Sequence, residues 1–161
     1  MTSASSRHSV QPRLTEVGKT TPCTAPTVSP GPVQSPETRT GQCLCGHIRY
    51  EVVGDPDDPH LCSCRHETRI SGGPAVLWVG FRKDGLKWTG PGGAPTWYST
   101  WPTLHRGFCP RCGTHLVAVA DGSDMVTVTG FSLTDHRGIE PVGHSSREEA
   151  APWMTISLAP N

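Results

Sequence analysis

The sequence predicts a single all-β domain that follows a disordered N-terminal arm. After residue 40, short runs of β-branched and aromatic residues alternate with clusters of Gly, Pro and Asp, and no long segment keeps a helical period. Before that point, half of the residues are Ser, Thr or Pro, and all ten aromatic residues come later. A stretch of that composition buries too little apolar area to offset its conformational entropy. We therefore assign residues 1–40 to the arm and residues 41–161 to the domain.

The predicted strands are the runs that are richest in β-branched and aromatic residues. They cover residues 48–54, 75–81, 86–90, 96–100, 115–120, 125–133 and 154–158. Apolar and polar residues alternate in "MVTVTGF", residues 125–131, which predicts a strand with one buried face. One or two helical turns are expected in "SSREEAA", residues 145–151, ending before Pro152.

Charge and hydropathy bound the possible functions. Residues 41–161 carry ten Lys and Arg against twelve Asp and Glu, which lacks the basic footprint of a nucleic-acid binder. The first 40 residues contain no apolar core of a secretory signal, and no run has the length of a membrane span. We therefore expect a cytoplasmic protein with no nucleic-acid or membrane partner.

The cysteines form three close pairs after residue 40, and the seventh, Cys23, is expected to be a free thiol in the arm. In a protein without a secretory signal, close pairs favour metal binding over disulfides. The strongest pair is Cys109 and Cys112 in "GFCPRCGTHL", which has the CxxC spacing of a zinc knuckle. A redox CxxC is the alternative, but that motif opens a helix, whereas strand-forming residues follow here.

Structural zinc takes four ligands, and Cys43 and Cys45 are the candidates for the other two. Side chains at i and i+2 of a strand point the same way but are about 7 Å apart, so both sulfurs reach one ion only if the chain bends. The flanking Gly41 and Gly46 are able to supply that bend. The alternative is that both are buried core thiols.

A second candidate metal site lies in "CSCRHETRISGG", residues 62–73. Cys62 and Cys64 repeat the CxC spacing, and Glu67 stands where a third thiolate would complete a CxxC. Zinc accepts cysteine, histidine and carboxylate ligands, and three protein ligands with one open position are typical of catalytic zinc. His66 is an alternative third ligand. The other interpretation is that no metal binds and Glu67 pairs at the surface with Arg65 or Arg69.

These motifs resemble, in sequence and in order, the glutathione-dependent formaldehyde-activating enzymes, a group that includes centromere protein V. The resemblance covers about residues 41–158 and rests on "GQCLCGHIRYEV", "CSC", "RISGG", "YST", "RGFCPRCGTHL" and "GHSSREEAAPW". It implies a β-tent fold with a structural zinc on Cys43, Cys45, Cys109 and Cys112. It also implies a catalytic zinc at Cys62 and Cys64, where the family has a cysteine at the position of Glu67 and usually a histidine at the position of Ser63.

The resemblance further implies a carbon–sulfur lyase that acts on adducts of a thiol, such as glutathione, with an aldehyde, such as formaldehyde. His66 or His105 would move protons in such a reaction. Trp78, Trp97, Tyr98 and Trp101 either line its pocket or belong to the core. Since both departures from the family pattern fall in the second site, a zinc-stabilised binding module without catalysis remains the alternative function.

Overall fold

The computed structural model describes residues 37–158, and the predicted arm therefore lies almost entirely outside the described residues. Ten strands dominate this part of the chain: β1 (Thr38–Gln42), β2 (Arg49–Val53), β3 (Asp57–Cys62), β4 (Val76–Arg82), β5 (Lys87–Trp88), β6 (Thr96–Trp101), β7 (Leu104–Phe108), β8 (His115–Ala120), β9 (Met125–Thr129) and β10 (Gly143–Ser145). One α-helix, α1 (Arg65–Ser71), and three 3₁₀ turns complete the described elements. The predicted all-β class is confirmed.

The strands form two sheets. A three-stranded sheet has the order β1-β2-β5, and a seven-stranded sheet has the order β10-β3-β4-β9-β8-β7-β6. Every pairing is antiparallel except that of β10 with β3, which is parallel. No helix in residues 37–158 is long and apolar enough to cross a lipid bilayer.

The core follows the alternation of the strands. In β9, Val126 and Val128 are buried while their neighbours are partly exposed, as the sequence predicts. Tyr50 and Val52 do the same in β2, and β4 is buried on both faces because strands and turns cover both sides of it. Burying each of these side chains stabilises the fold by about 1.5–3 kcal/mol.

Several predicted elements need correction. Residues 154–158 form no strand, although Met154, Ile156 and Leu158 are less exposed than the residues between them. The strand predicted for 125–133 ends at Thr129 and continues as a 3₁₀ turn, Gly130–Ser132. The helical turn expected in residues 145–151 is a 3₁₀ turn, Arg147–Glu149.

The division between arm and domain predicted after residue 40 falls inside a strand. β1 begins at Thr38, and its residues pair in register with β2 from Thr38 opposite Val53 to Gln42 opposite Arg49. Strand pairing therefore starts three residues earlier than the composition of the sequence indicates.

Candidate metal centres

The first cluster brings together two cysteine pairs, one from a turn of the small sheet and one from a turn of the large sheet. Cys43 and Cys45 lie in the turn between β1 and β2, and Cys109 and Cys112 lie in the turn between β7 and β8. One sulfur atom from each of the four lies within 4.8 Å of all the others. Cys43 and Cys109 are buried, Cys112 is half-buried and Cys45 is exposed. Cys45 is therefore not a core thiol.

The sulfur separations fit a shared ion rather than a disulfide. The Sγ atoms of Cys43 and Cys45 are 3.6 Å apart, and those of Cys45 and Cys109 are 3.8 Å apart. Four sulfurs placed tetrahedrally at the usual zinc–sulfur bond length would be separated by about 3.8 Å. A disulfide bond is only about 2.0 Å long. The geometry therefore fits a tetrahedral metal centre.

Local backbone structure turns each pair toward the common centre. After Cys45 the chain reverses at Gly46, whose φ of 69° lies in the left-handed region and whose N–H donates to the Cys43 carbonyl at 3.0 Å. Gly113 plays the same part after Cys112, with φ of 73° and a bond to the Cys109 carbonyl at 2.9 Å. Gly41 has a different role, because a Cβ there would lie 2.1 Å from the Tyr50 ring.

Hydrogen bonds prepare part of this cluster to carry negative charge. The Thr114 hydroxyl lies 3.2 Å from the Cys112 sulfur, and this contact helps to lower the pKa of Cys112 to about 5. The Ile48 N–H donates to the Cys43 sulfur at 3.3 Å. Burial raises the pKa of Cys43, but this hydrogen bond and the neighbouring thiols leave it below the usual value. A hydrogen bond with the His47 backbone lowers the pKa of Cys45, but partial desolvation and the three neighbouring thiols outweigh it and raise the pKa to about 11.

The second cluster is built from one short stretch of chain. Cys62 is the last residue of β3, Cys64 precedes the first residue of α1, and Glu67 lies in the first turn of that helix. Their two sulfurs and one carboxylate oxygen lie within 4.8 Å of one another. Burial is the largest influence on the pKa of Cys62 and raises it. These three residues are the ones that the spacing of the sequence singles out.

Glu67 has a partner that the sequence analysis missed. Its side chain is 4% exposed, and Oε1 lies 2.6 Å from Nη2 of Arg106, whose side chain is 5% exposed. The alternative interpretation, in which Glu67 pairs at the surface with Arg65 or Arg69, is therefore wrong. The second oxygen, Oε2, is buried and makes no close hydrogen bond with a described residue, although the Trp78 indole lies near enough to the carboxylate to help lower its pKa. Burial raises the pKa of Glu67, and the charge of Arg106 acts in the opposite direction.

The two predicted proton carriers lie in different places. His66 stacks on Trp101, with ring centroids 4.4 Å apart, and is not among the residues whose donor atoms cluster. His105 lies on β7 next to Arg106, where its ring bonds to Ser99 and Asp121 at 2.9 and 3.0 Å. Since neighbouring residues of a strand point to opposite faces, His105 faces away from the second cluster.

Of the four aromatic residues that the sequence analysis singles out, some belong to the core and others lie around the second cluster. Trp78 is buried and lies 5.8 Å from the Arg106 guanidinium, and half-exposed Trp101 lies 6.0 Å from the same group. Tyr98 lines a small cavity with Arg106, whereas Trp97 lines neither of the two cavities described below. Three of the four therefore lie near the site and one does not.

The C-terminal part of the domain supports the second cluster. β10 pairs with β3 so that Ser145 lies opposite Cys62. Ser63 is fully buried, and its hydroxyl donates to the Pro74 carbonyl at 2.9 Å and bonds His144 Nε2 at 2.8 Å. Glu149 accepts a hydrogen bond from the Arg65 N–H at 2.9 Å, at the start of α1. Residues 143–149 thus fix the loop that carries both cysteines.

Two adjoining cavities lie beside the clusters. The larger has a volume of about 650 Å³ and the smaller about 220 Å³, and both are lined by Ile70, Gly113 and His115. Cys43 also lines the larger cavity, and Arg106 lines the smaller. The cavities therefore extend from the first cluster to the arginine that holds Glu67.

His115 is a further residue that sequence reasoning missed. Neither ring nitrogen has a hydrogen-bond partner among the described residues, and both are buried. Burial, aided by the nearby charge of Arg106, lowers the pKa of His115 to about 4, so the ring is neutral at pH 7. The available signal was the position of His115, which is the first residue of the predicted strand 115–120 and follows directly after the knuckle.

The fold and these two clusters define a small all-β protein with two candidate metal centres. A family model described as glutathione-dependent formaldehyde-activating enzyme matches residues 38–148, and the chain belongs to that family. A search of curated proteins found no match. Among solved structures, a crystal structure of a Rhodobacter sphaeroides protein is similar, with a TM-score of 0.53 and 20% identity over 66% of this chain and 99% of that one. That likeness supports the fold alone.

Proposed function

We propose that the chain is a zinc-dependent lyase that makes or cleaves the carbon–sulfur bond of thiol–aldehyde adducts, with its catalytic zinc on Cys62, Cys64 and Glu67. The four-cysteine cluster would hold a separate structural zinc. Family membership supports the reaction type. The observation that carries the site is the buried Glu67 carboxylate, which has one oxygen on Arg106 and the other without a close hydrogen bond, beside two thiols.

The donor set fits zinc in kind and in charge. Zinc accepts thiolate and carboxylate ligands, and three protein ligands leave one position for a reacting molecule. Two thiolates and a carboxylate around Zn²⁺ leave one negative charge, and the buried Arg106 guanidinium would cancel it. Arg106 lies on β7, far in the sequence from the three ligands that it would neutralise.

Zinc bound there would supply a Lewis acid that lowers the pKa of a thiol or polarises a carbonyl. The chain's own residues would do the rest. Arg106 would hold the Glu67 carboxylate in place, and His115, which is neutral at pH 7, would accept a proton. Trp78 and Trp101 would exclude water from the guanidinium.

One observation favours the alternative function, a zinc-stabilised binding module without catalysis. The Glu67–Arg106 pair neutralises the carboxylate without any metal, so the second cluster has no uncompensated carboxylate when empty. In that case only the four-cysteine cluster would hold zinc. The predicted cytoplasmic location is common to both functions.

Metal content and lyase activity of the purified protein separate the two. We expect two zinc ions per chain in the wild type and one in Cys62→Ser and Glu67→Ala, with the cleavage of S-hydroxymethyl thiols lost. Glu67→Ala should fold but be less stable than Cys62→Ser, because it leaves the Arg106 guanidinium buried without its partner. Glu67→Cys should keep two zinc ions, because it supplies a third thiolate. Cys23→Ser is the matched control, since it removes a cysteine and leaves the seven residues of the two clusters unchanged.

One zinc per chain in the wild type, unchanged in Cys62→Ser and Glu67→Ala, would support the binding module instead. If the wild type binds two zinc ions but cleaves no thiol–aldehyde adduct, the second metal site is supported and the proposed reaction is refuted.

A further inference from the structure

The larger cavity has the dimensions of a binding site for a small organic molecule. Its volume of about 650 Å³ lies within the range of roughly 300–1,000 Å³ that is usual for such sites. It is also connected to the candidate metal centres, because Cys43 belongs to its wall and His115 is shared with the smaller cavity beside Arg106. Cys62, Cys64 and Glu67 line neither cavity, so a substrate of the second centre would reach this space by way of Arg106 and the smaller cavity.

Apart from Cys43, whose sulfur belongs to the first cluster, the wall of this cavity carries no charged side chain. Among the described residues that line it there is no Lys, Arg, Asp or Glu, and the polar ones are neutral, chiefly Thr, Ser, Gln42 and His115. His115 is itself neutral at pH 7. A carboxylate placed here would lose its hydration without gaining a cationic partner, which is costly.

The arginine of the smaller cavity does not change this balance. Arg106 is already paired with the buried Glu67 carboxylate at 2.6 Å, so the two side chains together are neutral. A second carboxylate that recruited Arg106 would leave Glu67 as an unpaired buried charge. The two cavities therefore offer no free cation in the part of the chain that the structure describes.

The mouth of the cavity is apolar and open to solvent. Three of its lining side chains are exposed hydrophobic groups: Leu44 is 88% exposed, Phe131 is 74% exposed and Ile70 is 40% exposed. They come from three separate segments of the chain, namely the β1–β2 turn, the turn after β9 and α1. Exposed apolar side chains that converge on one concave site are typical of a ligand-binding surface.

We propose that this site takes an uncharged, mainly apolar thiol, aldehyde or thiol–aldehyde adduct, with its hydrocarbon body between Leu44, Ile70 and Phe131. Glutathione, which carries two carboxylates and one ammonium group, would be a poor ligand. The identity of the reacting group rests on the proposed function, whereas the preference for an uncharged apolar body rests on the cavity alone.

The test uses two probes that contain neither thiol nor aldehyde, so that it does not depend on catalysis. The probes are 4-phenyl-2-butanone, which is neutral and apolar, and S-methylglutathione, which keeps the charges of the tripeptide. Binding to the zinc-loaded full-length chain is measured by calorimetry, and amide chemical shifts of Thr129 and Phe131 locate the ligand. We expect the ketone to bind at least about tenfold more tightly than the tripeptide.

Two variants separate cavity binding from adhesion to exposed aromatic groups. Phe131→Ala removes one ring from the mouth and should weaken ketone binding about fivefold to tenfold. Trp153→Ala removes an aromatic side chain of similar exposure, 78%, that lines neither cavity and should leave binding unchanged. In Cys62→Ser the preference for the ketone over the tripeptide should persist, because the hydrocarbon body of the ketone is held by the cavity wall and not by the second centre.

Tighter binding of S-methylglutathione than of the ketone would overturn the proposal. So would equal loss of ketone affinity in Phe131→Ala and Trp153→Ala, or ketone binding that leaves the amides of Thr129 and Phe131 unperturbed. Loss of lyase activity in Cys62→Ser tests the proposed reaction and leaves the preference for the ketone unaffected.

Discussion

The two cysteine clusters differ in how far apart in the sequence their members lie. The first joins the β1–β2 turn of the small sheet to the β7–β8 turn of the large one, and Cys45 and Cys109 are 64 positions apart. The second is contained within residues 62–67, at the junction of β3 and α1. A metal on the first would therefore tie distant segments together, whereas a metal on the second would tie together a segment that the sheet already holds.

Because of this difference, the first cluster should govern the stability of the fold, whereas the second should affect mainly the proposed reaction. A cross-link between distant segments constrains the unfolded chain most, and structural zinc contributes about 10–16 kcal/mol of apparent binding free energy in small domains. A local cluster contributes little of that kind, so its ligands are able to change without loss of the fold. Glu67 and Ser63, the two departures from the family pattern, both lie in the local cluster.

The largest expected effect comes from breaking the first cluster. Cys109→Ser should unfold the domain, because the lost zinc affinity is comparable to a whole domain's stability of roughly 5–15 kcal/mol. Thermal melting followed by circular dichroism, with zinc content measured on the same sample, checks this. Cys62→Ser is the matched control and should melt cooperatively. If Cys109→Ser melted like the wild type, the first cluster would have no structural role.

Removal of the charge that faces the second cluster should have the next largest effect. Arg106→Leu leaves the Glu67 carboxylate buried and unpaired and should lower the free energy of unfolding by about 3–5 kcal/mol. Arg82→Leu, which breaks exposed ion pairs with Asp84 and Asp124, should cost only about 0–1 kcal/mol. Denaturant unfolding measures both.

A double variant sharpens this result. Arg106→Leu combined with Glu67→Gln removes both charges and should recover much of the lost stability while abolishing the second metal site. If the double variant is as unstable as Arg106→Leu alone, then the arginine stabilises the domain by packing on Trp78 and Trp101 rather than by its charge.

The buried histidine between the clusters should make stability depend on pH. The pKa of His115 is about 4 in the folded chain and about 6.5 when unfolded, so its contribution is present above pH 6.5 and is lost as the pH falls toward 4. His115→Gln should reduce the loss of unfolding free energy between pH 7 and pH 5 by about 1–2 kcal/mol. Acid also releases zinc from thiolates, which lowers stability in every variant. His105→Gln is the control for that loss, because it removes a histidine but keeps His115. Equal slopes for the two variants would contradict this interpretation.

The smallest expected effect concerns the residue that meets the start of α1. Glu149→Ala removes the acceptor for the Arg65 N–H and should lower stability by about 0.5–1 kcal/mol. It should also weaken the second zinc site without affecting the first, since Cys64 immediately precedes that helix. Competition with a zinc chelator measures both affinities. Glu148→Ala, an exposed neighbour, should match the wild type in each.

Local sequence signals predicted most of the strands because those strands alternate or are apolar throughout. The predicted strand at residues 115–120 coincides with β8. The one at 96–100 is one residue shorter than β6, and the one at 75–81 is offset from β4 by one residue at each end. β3 was missed because its acidic, proline-containing sequence is typical of turns. Its register shifts between Asp57 and His60, and Asp58 has a φ of 41°. α1 was missed because seven residues are too few to show a helical period.

The candidate ligands were predictable because metal binding constrains spacing along the chain. Their surroundings were not, because they come from distant elements. Arg106 reaches Glu67 from β7, and Glu149 reaches α1 from beyond β10. No local pattern relates a residue of one strand to a carboxylate nearly forty positions away, so the partner of Glu67 required the tertiary structure.

The parallel pairing of β10 with β3 has a consequence for synthesis of the chain on the ribosome. All four cysteines of the first cluster have been made by residue 112, whereas the segment that fixes the second extends to Glu149. If both clusters bind metal as proposed, a nascent polypeptide is expected to complete the first cluster early and the second only near the end of translation. Chains released after residue 142 should carry a single ion, which mass spectrometry under native conditions would detect.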